Sequence, residues 1–157
     1  MSAEPIAPQL EYALTVELDL AKRVMTEVTT TGAAYGQVIV EGGRFAGPRL
    51  SGVAVPGGGD FPTIGADGVA HFDAKYFLRE DDGTLILVRN AGMRVSTPEA
   101  RERFLQQLPV DEKDYMLIAT PTFRAPVGPH EWLNHSVFVG IGRRSPEGNR
   151  FEYYRVL

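Results

Sequence analysis

The stretch VAHFDAKYFLREDDGTLILVRNAG, residues 69–92, contains two strand-like runs joined by a short turn. Polar and apolar residues alternate in the first run, and a period of two residues is typical of a β-strand because successive side chains point to opposite faces of a sheet. The dipeptide Asp82-Gly83 between the runs supplies the positive φ angles that a tight turn needs. The stretch therefore predicts an antiparallel β-hairpin.

The same pattern recurs along the rest of the chain. The run LEYALTVELDL alternates from Leu10 to Leu20, and shorter strand-like runs follow it between glycine-rich turns. About nine strands are predicted in this way. One segment has helical spacing instead. It offers Ser96 or Thr97 as an N-cap and Glu99 for a capping box, which predicts one short helix near residues 97–108.

This order of elements predicts an all-β protein. Many short strands joined by glycine-rich turns are typical of an antiparallel barrel or a sandwich. We favour a single closed antiparallel β-barrel, because closure hides the edges of the sheet and barrels of this size often enclose a pocket for one small molecule. Residues 1–8 contain two prolines and are expected to form a flexible tail, and residues 9–157 are expected to form one barrel domain.

The composition excludes several classes of protein. The chain has 157 residues, a formal net charge of -4 and no cysteine. An acidic balance argues against a nucleic-acid surface, and the lack of cysteine excludes disulfides and thiolate metal sites. The N-terminus lacks the basic and apolar regions of a secretory signal, and no apolar run approaches the ~18 residues of a spanning helix. We expect a cytoplasmic protein with no membrane partner.

A glycine-rich turn, Gly57-Gly58-Gly59, directly precedes Asp60. A phosphate-binding loop would need a lysine at its end and a following helix, and this turn has neither. Two interpretations remain for Asp60. Aspartate commonly caps a turn through its own backbone, and here it can do so. Alternatively, the glycines let the backbone direct the carboxylate into the mouth of a barrel, where functional groups are frequent.

The predicted strand from His71 to Leu78 has one polar face. A period of two places His71, Asp73 and Lys75 together on that face. A polar stripe of this kind is typical of a solvated outer surface. If it points into the barrel instead, Asp73 can hold Lys75 charged or orient His71 as a general base. We keep both orientations open, because a shift of one residue in register exchanges them.

A second candidate lies in HEWLNHSVF, residues 130–138. If the segment is a strand, Trp132 and Asn134 share one face, where an aromatic ring beside an amide can orient a ligand. The alternative is that Trp132 fills the bottom of the barrel. The three histidines of the chain form no recognised metal-binding motif, so no metal and no cofactor are expected. No GxSxG segment predicts a nucleophilic serine.

Three segments of the chain together resemble a known family. They are GGRFAGPRLSGVAVPGGGDF, ADGVAHFDAKYFLREDDGTLILVRNAG and PTFRAPVGPHEWLNHSVFVGIGRR. Their order is similar to that of the bacterial and fungal domain-of-unknown-function family numbered 3237, over roughly Leu10 to Leu157. The resemblance implies a single β-barrel domain, similar in shape to the barrels of allene oxide cyclase and dirigent proteins. It implies no settled activity.

Three functions are compatible with these observations. The first is a cofactor-independent isomerase, cyclase or lyase that acts by proton transfer on a small apolar or aromatic molecule. Asp60 or Asp73 would be its acid or base, Lys75 or Arg89 would stabilise an enolate-like oxygen, and Trp132 with Asn134 would orient the substrate. The second is a non-catalytic carrier or sensor of such a ligand. The third is an oligomeric structural protein, and in each case a homodimer or higher homo-oligomer is expected.

Overall fold

Strands make up most of the computed structural model, which describes residues 2–157. In chain order they are β1 (Leu10–Leu20), β2 (Val24–Met25), β3 (Ala34–Ala46), β4 (Ser51–Ala54), β5 (Gly59–Asp60), β6 (Thr63–Ile64), β7 (Ala70–Glu80), β8 (Leu85–Ser96), β9 (Tyr115–Arg124), β10 (Phe138–Arg144) and β11 (Gly148–Val156). The helix α1 spans Pro98–Leu105, and short 3-10 helices lie at Glu112–Asp114 and Glu131–His135.

Eight of these strands form a closed ring. Neighbouring strands pair antiparallel in the order β1, β11, β10, β9, β8, β7, β4 and β3, and β1 also pairs with β3. The two-residue strands β5 and β6 bridge β3 and β7 beyond the end of the short β4, and β2 pairs with β3. The predicted closed antiparallel barrel with one short helix is therefore confirmed. The strand count exceeds the predicted number because of these two-residue strands.

The hairpin predicted over residues 69–92 is formed by β7 and β8. Their register runs without interruption from the pair Ala70–Arg94 to the pair Arg79–Leu85. At the turn, Gly83 adopts a φ of 92°, and its backbone N–H donates to the carbonyl of Glu80 (2.8 Å). A positive φ at this position is what glycine permits and most side chains resist.

The helix lies beside one end of the barrel. Thr97 is its N-cap and accepts a hydrogen bond from the backbone N–H of Ala100 (3.1 Å). The buried ring of Phe104 meets the ring of Tyr115 on β9 edge to face, with their centroids 5.3 Å apart. In the part of the chain that the structure describes, no helix has the length and apolar character needed to cross a bilayer.

The side chains that fill the barrel differ in size between its two ends. At the end near the β7–β8 turn it is filled by large side chains with almost no exposure, including Tyr76, Val88, Phe123 and Tyr153. At the other end the inward positions of β7 hold Ala70, Phe72 and Ala74, two of which are small. The core therefore closes one end of the barrel and leaves space at the other.

The segment 130–138 is not a single strand, and our prediction of a strand face there is wrong. Residues 131–135 form a 3-10 helix, and β10 begins at Phe138. Local side-chain bonds to the backbone stabilise the turn. Ser136 Oγ donates to the carbonyl of Trp132 (2.8 Å), and Glu131 accepts from the N–H of Gly128 (3.1 Å). Such bonds compete with strand pairing.

Candidate functional site

A cavity of about 810 Å³ occupies the open end of the barrel. Its inner walls are mainly apolar and include Val40, Phe72, Leu117 and Phe151, which come from four different strands. Polar side chains also reach it from several elements: Arg23, Asp60, Asn90, Arg94, Arg144 and Asn149. An apolar cavity with a few convergent polar groups is the usual form of a small-molecule site.

The glycine turn carries Asp60 to the wall of this cavity. Gly58 has a φ of 67°, and a Cβ on it would overlap the carbonyl oxygen of Lys75. Because this residue has no side chain, the turn packs directly against the backbone of β7. Asp60 then pairs with Val38 on β3 and Ala74 on β7, between two strands of the ring. The glycines thus fix the position of the carboxylate.

Burial dominates the electrostatics of Asp60. Removal from water raises the pKa of its carboxyl to about 6, because a low-dielectric environment disfavours the charged form. The backbone N–H of Asp73 donates to Oδ1 (2.9 Å) and partly offsets this effect. The negative charge of Asp73 raises the pKa further, and the positive charge of Arg94 lowers it. Both protonation states are therefore accessible near neutral pH.

Arg94 on β8 is the cationic group that acts on Asp60 within the cavity. Burial, together with the positive charges of Arg144 and Arg23, lowers the pKa of its guanidinium to about 10. The group still carries its charge at neutral pH. Its guanidinium carbon lies 3.7 Å from the centre of the Phe104 ring, which holds the planar group in one orientation.

Three polar side chains lie together deep in the barrel, with Tyr153 next to both Tyr76 and Asn90. Among the described residues, Asn90 Oδ1, Tyr76 Oη and Tyr153 Oη nevertheless form no well-aligned hydrogen bond. Asn90 lines the cavity, although only 2% of its surface is exposed. Buried polar groups are normally hydrogen-bonded, so an unsatisfied amide oxygen at a cavity wall is a site for a water molecule or a polar group of a ligand.

The polar stripe of β7 lies outside the barrel. His71, Asp73 and Lys75 are exposed, while the alternate residues point inward. Asp73 forms an ion pair with Arg89 on the outer face of β8 (Oδ1 to Nε, 2.8 Å), and their side chains are 51% and 60% exposed. The side chains of these four predicted site residues therefore do not line the cavity. Of the two orientations that the sequence left open, the outward one is therefore present, and Asp73 and Lys75 do not point into the cavity as the predicted catalytic role there requires.

Trp132 and Asn134 also lie away from the cavity lining. The ring of Trp132 packs against the core, 6.1 Å from the centre of the Phe138 ring, and the guanidinium of Arg49 covers it at 4.0 Å. The amide of Asn134 accepts from the N–H of Ala125 and donates to its carbonyl, both at 2.8 Å. Both side chains hold the loop that covers the closed end, in agreement with the alternative in which Trp132 fills the barrel bottom.

A third group of titratable side chains occurs at the β7–β8 turn. His130 is buried, and its Nε2 lies 2.8 Å from Asp82 Oδ2 and 3.2 Å from Glu80 Oε2. Among residues 2–157, these three form the one cluster whose ligand atoms are close enough to share a metal ion. The carboxylates also accept backbone N–H bonds from the turn, Asp82 from Thr84 and Glu80 from Asp82. The cluster therefore connects the loop before β10 to the hairpin.

Asn90 and Arg94 were not predicted as site residues, although the sequence contains a signal for both. On β8 the inward residues Ile86 and Val88 are even-numbered, so Asn90 and Arg94 continue the same face. Polar residues on an inward face are the exception in a barrel and mark a candidate site. Arg23 lies in the link between β1 and β2, and Arg144 is the last residue of β10, and at such positions a period of two gives no such signal.

The fold and the cavity together define a closed β-barrel with a cavity at one end. The model of the family described as "Protein of unknown function (DUF3237)" matches residues 8–156. The chain belongs to this family, as its motifs predicted.

Known relatives agree with this assignment. A UPF0311 protein of Rhodopseudomonas palustris is 28% identical over 155 residues, which cover 97% of this chain and 100% of that protein. A β-barrel-like protein from Acinetobacter baumannii superimposes with a TM-score of 0.84 at 28% identity and covers 99% of this chain and 100% of its own. An enzyme from Penicillium herquei superimposes with a TM-score of 0.76 at 23% identity, and the match covers both chains completely. The last similarity concerns the fold alone.

Proposed function

We propose that this protein binds a small, largely apolar or aromatic molecule in the barrel cavity and catalyses a proton transfer on it without a cofactor. The reaction class is that of an isomerase, cyclase or lyase. The observation that carries the proposal is the position of Asp60, a carboxyl with a pKa of about 6 in a cavity with apolar walls. A general acid or base works best when its pKa lies near the operating pH.

The proposed step uses two side chains of the cavity. The Asp60 carboxylate removes a proton from a carbon next to a carbonyl group of the substrate, and the electron pair of that C–H bond moves onto the carbonyl oxygen. Arg94 stabilises the resulting enolate oxygen through its positive charge. The carboxylic acid of Asp60 then returns the proton to another atom of the substrate, so that the protein is regenerated and no electrons are gained or lost.

The similarity of the fold to that of an enzyme supports this proposal. The Penicillium herquei protein is described as an enzyme, so a barrel of this form can carry catalysis. Asp73, Lys75 and Arg89 have no part in the proposed step because their side chains are on the outer face.

The alternative is a carrier or sensor that binds the same molecule without changing it. The observation in its favour is the Oδ1 of Asn90, which forms no well-aligned hydrogen bond among the described residues and can accept one from a ligand independently of Asp60. In both cases a homo-oligomer and a cytoplasmic location stay predictions. Native mass spectrometry of the protein purified from its own host tests for both a bound molecule and an oligomer.

The two functions differ in one measurable property. The test uses the aromatic ketone 1-indanone as a probe, and NMR follows the exchange of its α-protons in D₂O. The wild-type protein is expected to accelerate this exchange, and Asp60→Asn is expected to reduce the acceleration about 100-fold, the usual contribution of a general base. The matched control is Asp73→Asn, which removes a neighbouring carboxylate on the outer face. Because the charge of Asp73 is one of the smaller effects on the pKa of Asp60, this variant is expected to change the exchange far less than Asp60→Asn.

Each outcome distinguishes the two functions. If the protein binds 1-indanone but does not accelerate the exchange, it acts as a carrier of such molecules. If Asp60→Asn and Asp73→Asn slow the exchange equally, Asp60 is not the base, and the catalytic proposal fails.

A further inference from the structure

The mouth of the cavity carries an excess of positive charge. Four cationic side chains line the cavity, namely Lys22, Arg23, Arg94 and Arg144, against the two carboxylates of Asp60 and Glu147. The whole chain has the opposite sign, with a formal net charge of -4. The positive charge is therefore concentrated at the cavity, where charges of one sign attract a ligand of the other.

These cationic groups form no ion pair among the described residues. Across residues 2–157, none of the four cavity-lining cations lies within 4.0 Å of a carboxylate, whereas arginines elsewhere do, for example Arg89 with Asp73 and Arg150 with Glu17. The Nε of Arg94 is buried without a hydrogen-bond acceptor in the same part of the chain. A buried N–H without an acceptor is costly, so an anion in the cavity that accepts from Arg94 would be favoured.

Two of the guanidiniums are held by one aromatic ring. The carbon of the Arg94 guanidinium lies 3.7 Å from the centre of the Phe104 ring, and that of Arg144 lies 5.6 Å from it. Stacking leaves the N–H groups at the edge of each guanidinium free, and this fork fits a carboxylate with two parallel hydrogen bonds. Arg23 lies beside these two arginines, because its Nη2 donates a hydrogen bond to the backbone carbonyl of Phe104 (3.5 Å).

We propose that Arg94 and Arg144, with Arg23, bind the carboxylate of an apolar organic acid, whose hydrophobic body lies against Phe72 and Phe151. This inference rests on the proposed cavity function and specifies its ligand class. A singly charged group fits better than a phosphate dianion, because the carboxylates of Asp60 and Glu147 line the same cavity. Asp60 then lies at the cavity wall as the proton-transfer group. Arg94 has five N–H donors, so it can share the carboxylate with Arg144 while its positive charge stabilises the enolate oxygen of the proposed step.

The test uses 2-naphthoate and its neutral amide, 2-naphthamide, which have nearly the same size and shape. Affinities are measured by isothermal titration calorimetry with wild-type protein, Arg94→Gln and Arg144→Gln. Naphthoate is expected to bind about tenfold tighter than the amide, and each substitution is expected to weaken naphthoate about tenfold while leaving the amide unchanged. Arg89→Gln on the outer face is the control and is expected to change neither affinity.

The outcomes separate this inference from the proposed function. If naphthoate and naphthamide bind equally, the anion inference is wrong and the cavity function stands. If each arginine substitution weakens both compounds equally, the arginines act through packing and the inference is also wrong. If neither compound binds at millimolar concentration, both proposals are contradicted. Arg144 is exposed, so Arg144→Gln keeps the test valid even if Arg94→Gln disturbs the fold.

Discussion

Replacing Gly58 by alanine is expected to lower the free energy of unfolding by about 3 kcal/mol or more, because the new Cβ would overlap the carbonyl oxygen of Lys75. The turn and β7 would have to separate, and Asp60 would move with them. The matched control is the neighbouring Gly57. It also has a positive φ, of 107°, but no heavy atom lies within 4 Å of its Cβ position. Gly57→Ala is therefore expected to cost about 1–2 kcal/mol, from backbone strain alone.

Urea unfolding followed by circular dichroism measures both variants. The comparison is informative because backbone strain and steric overlap rank the two variants in opposite orders. The φ of 67° at Gly58 lies in the left-handed region that side chains tolerate better than the φ of 107° at Gly57. If backbone strain alone mattered, Gly57→Ala would be the more harmful change. A smaller loss for Gly58→Ala would contradict the close contact between the turn and β7.

Replacing Asp60 by asparagine is expected to stabilise the protein at pH 8 by about 1–3 kcal/mol. The folded pKa of about 6 exceeds the ordinary value of 3.8 by roughly two units, and each unit corresponds to about 1.4 kcal/mol. The folded state therefore binds this proton more tightly than the unfolded state does. The protonated carboxyl of Asp60 makes its full contribution to stability below pH 3.8. This contribution falls as the pH rises from 3.8 to 6 and is lost above pH 6. Asparagine removes this dependence.

The difference in unfolding free energy between wild type and Asp60→Asn, measured from pH 4 to pH 8, isolates this effect. The control is Asp73→Asn. The hydrogen-bonded guanidinium of Arg89 lowers the pKa of Asp73, so the contribution of Asp73 is complete above pH 3.8 and decreases only below it. From pH 4 to pH 8 the difference for Asp73→Asn is therefore expected to be nearly constant, whereas that for Asp60→Asn changes with pH. A flat difference for Asp60→Asn would mean that its carboxyl titrates normally. A stabilising substitution that reduces catalysis is a common property of functional residues.

Much of the fold could be predicted from the sequence because its signals are local. The alternation in Leu10–Leu20 and the Asp82-Gly83 turn each specify a short segment, and both are present in the structure. The segment 130–138 could not be predicted in this way. Its residues fit a strand pattern, but side-chain bonds from Asn134 and Ser136 to nearby backbone atoms stabilise a 3-10 helix instead.

The candidate site was predictable only in part. Gly57–Gly59 directly before Asp60 indicated a fixed carboxylate, and the structure adds its pairing with two strands. The sequence did not determine which face of β7 points into the barrel, because His71, Asp73 and Lys75 suit either side until the register is known. The arginines of the cavity come from separate parts of the chain, and only the closure of the barrel brings Arg23 close to Arg144.

The central claim is that Asp60 is a carboxyl with a raised pKa inside a ligand cavity. The most direct measurement is the titration of the aspartate side-chain carboxyl carbons by ¹³C NMR, with Asp60→Asn to assign the signal. A midpoint of about 6 for the signal that the substitution removes is the predicted result. A midpoint near 3.8 would contradict the claim, because a carboxyl that titrates there is exposed to water and has no special role at neutral pH.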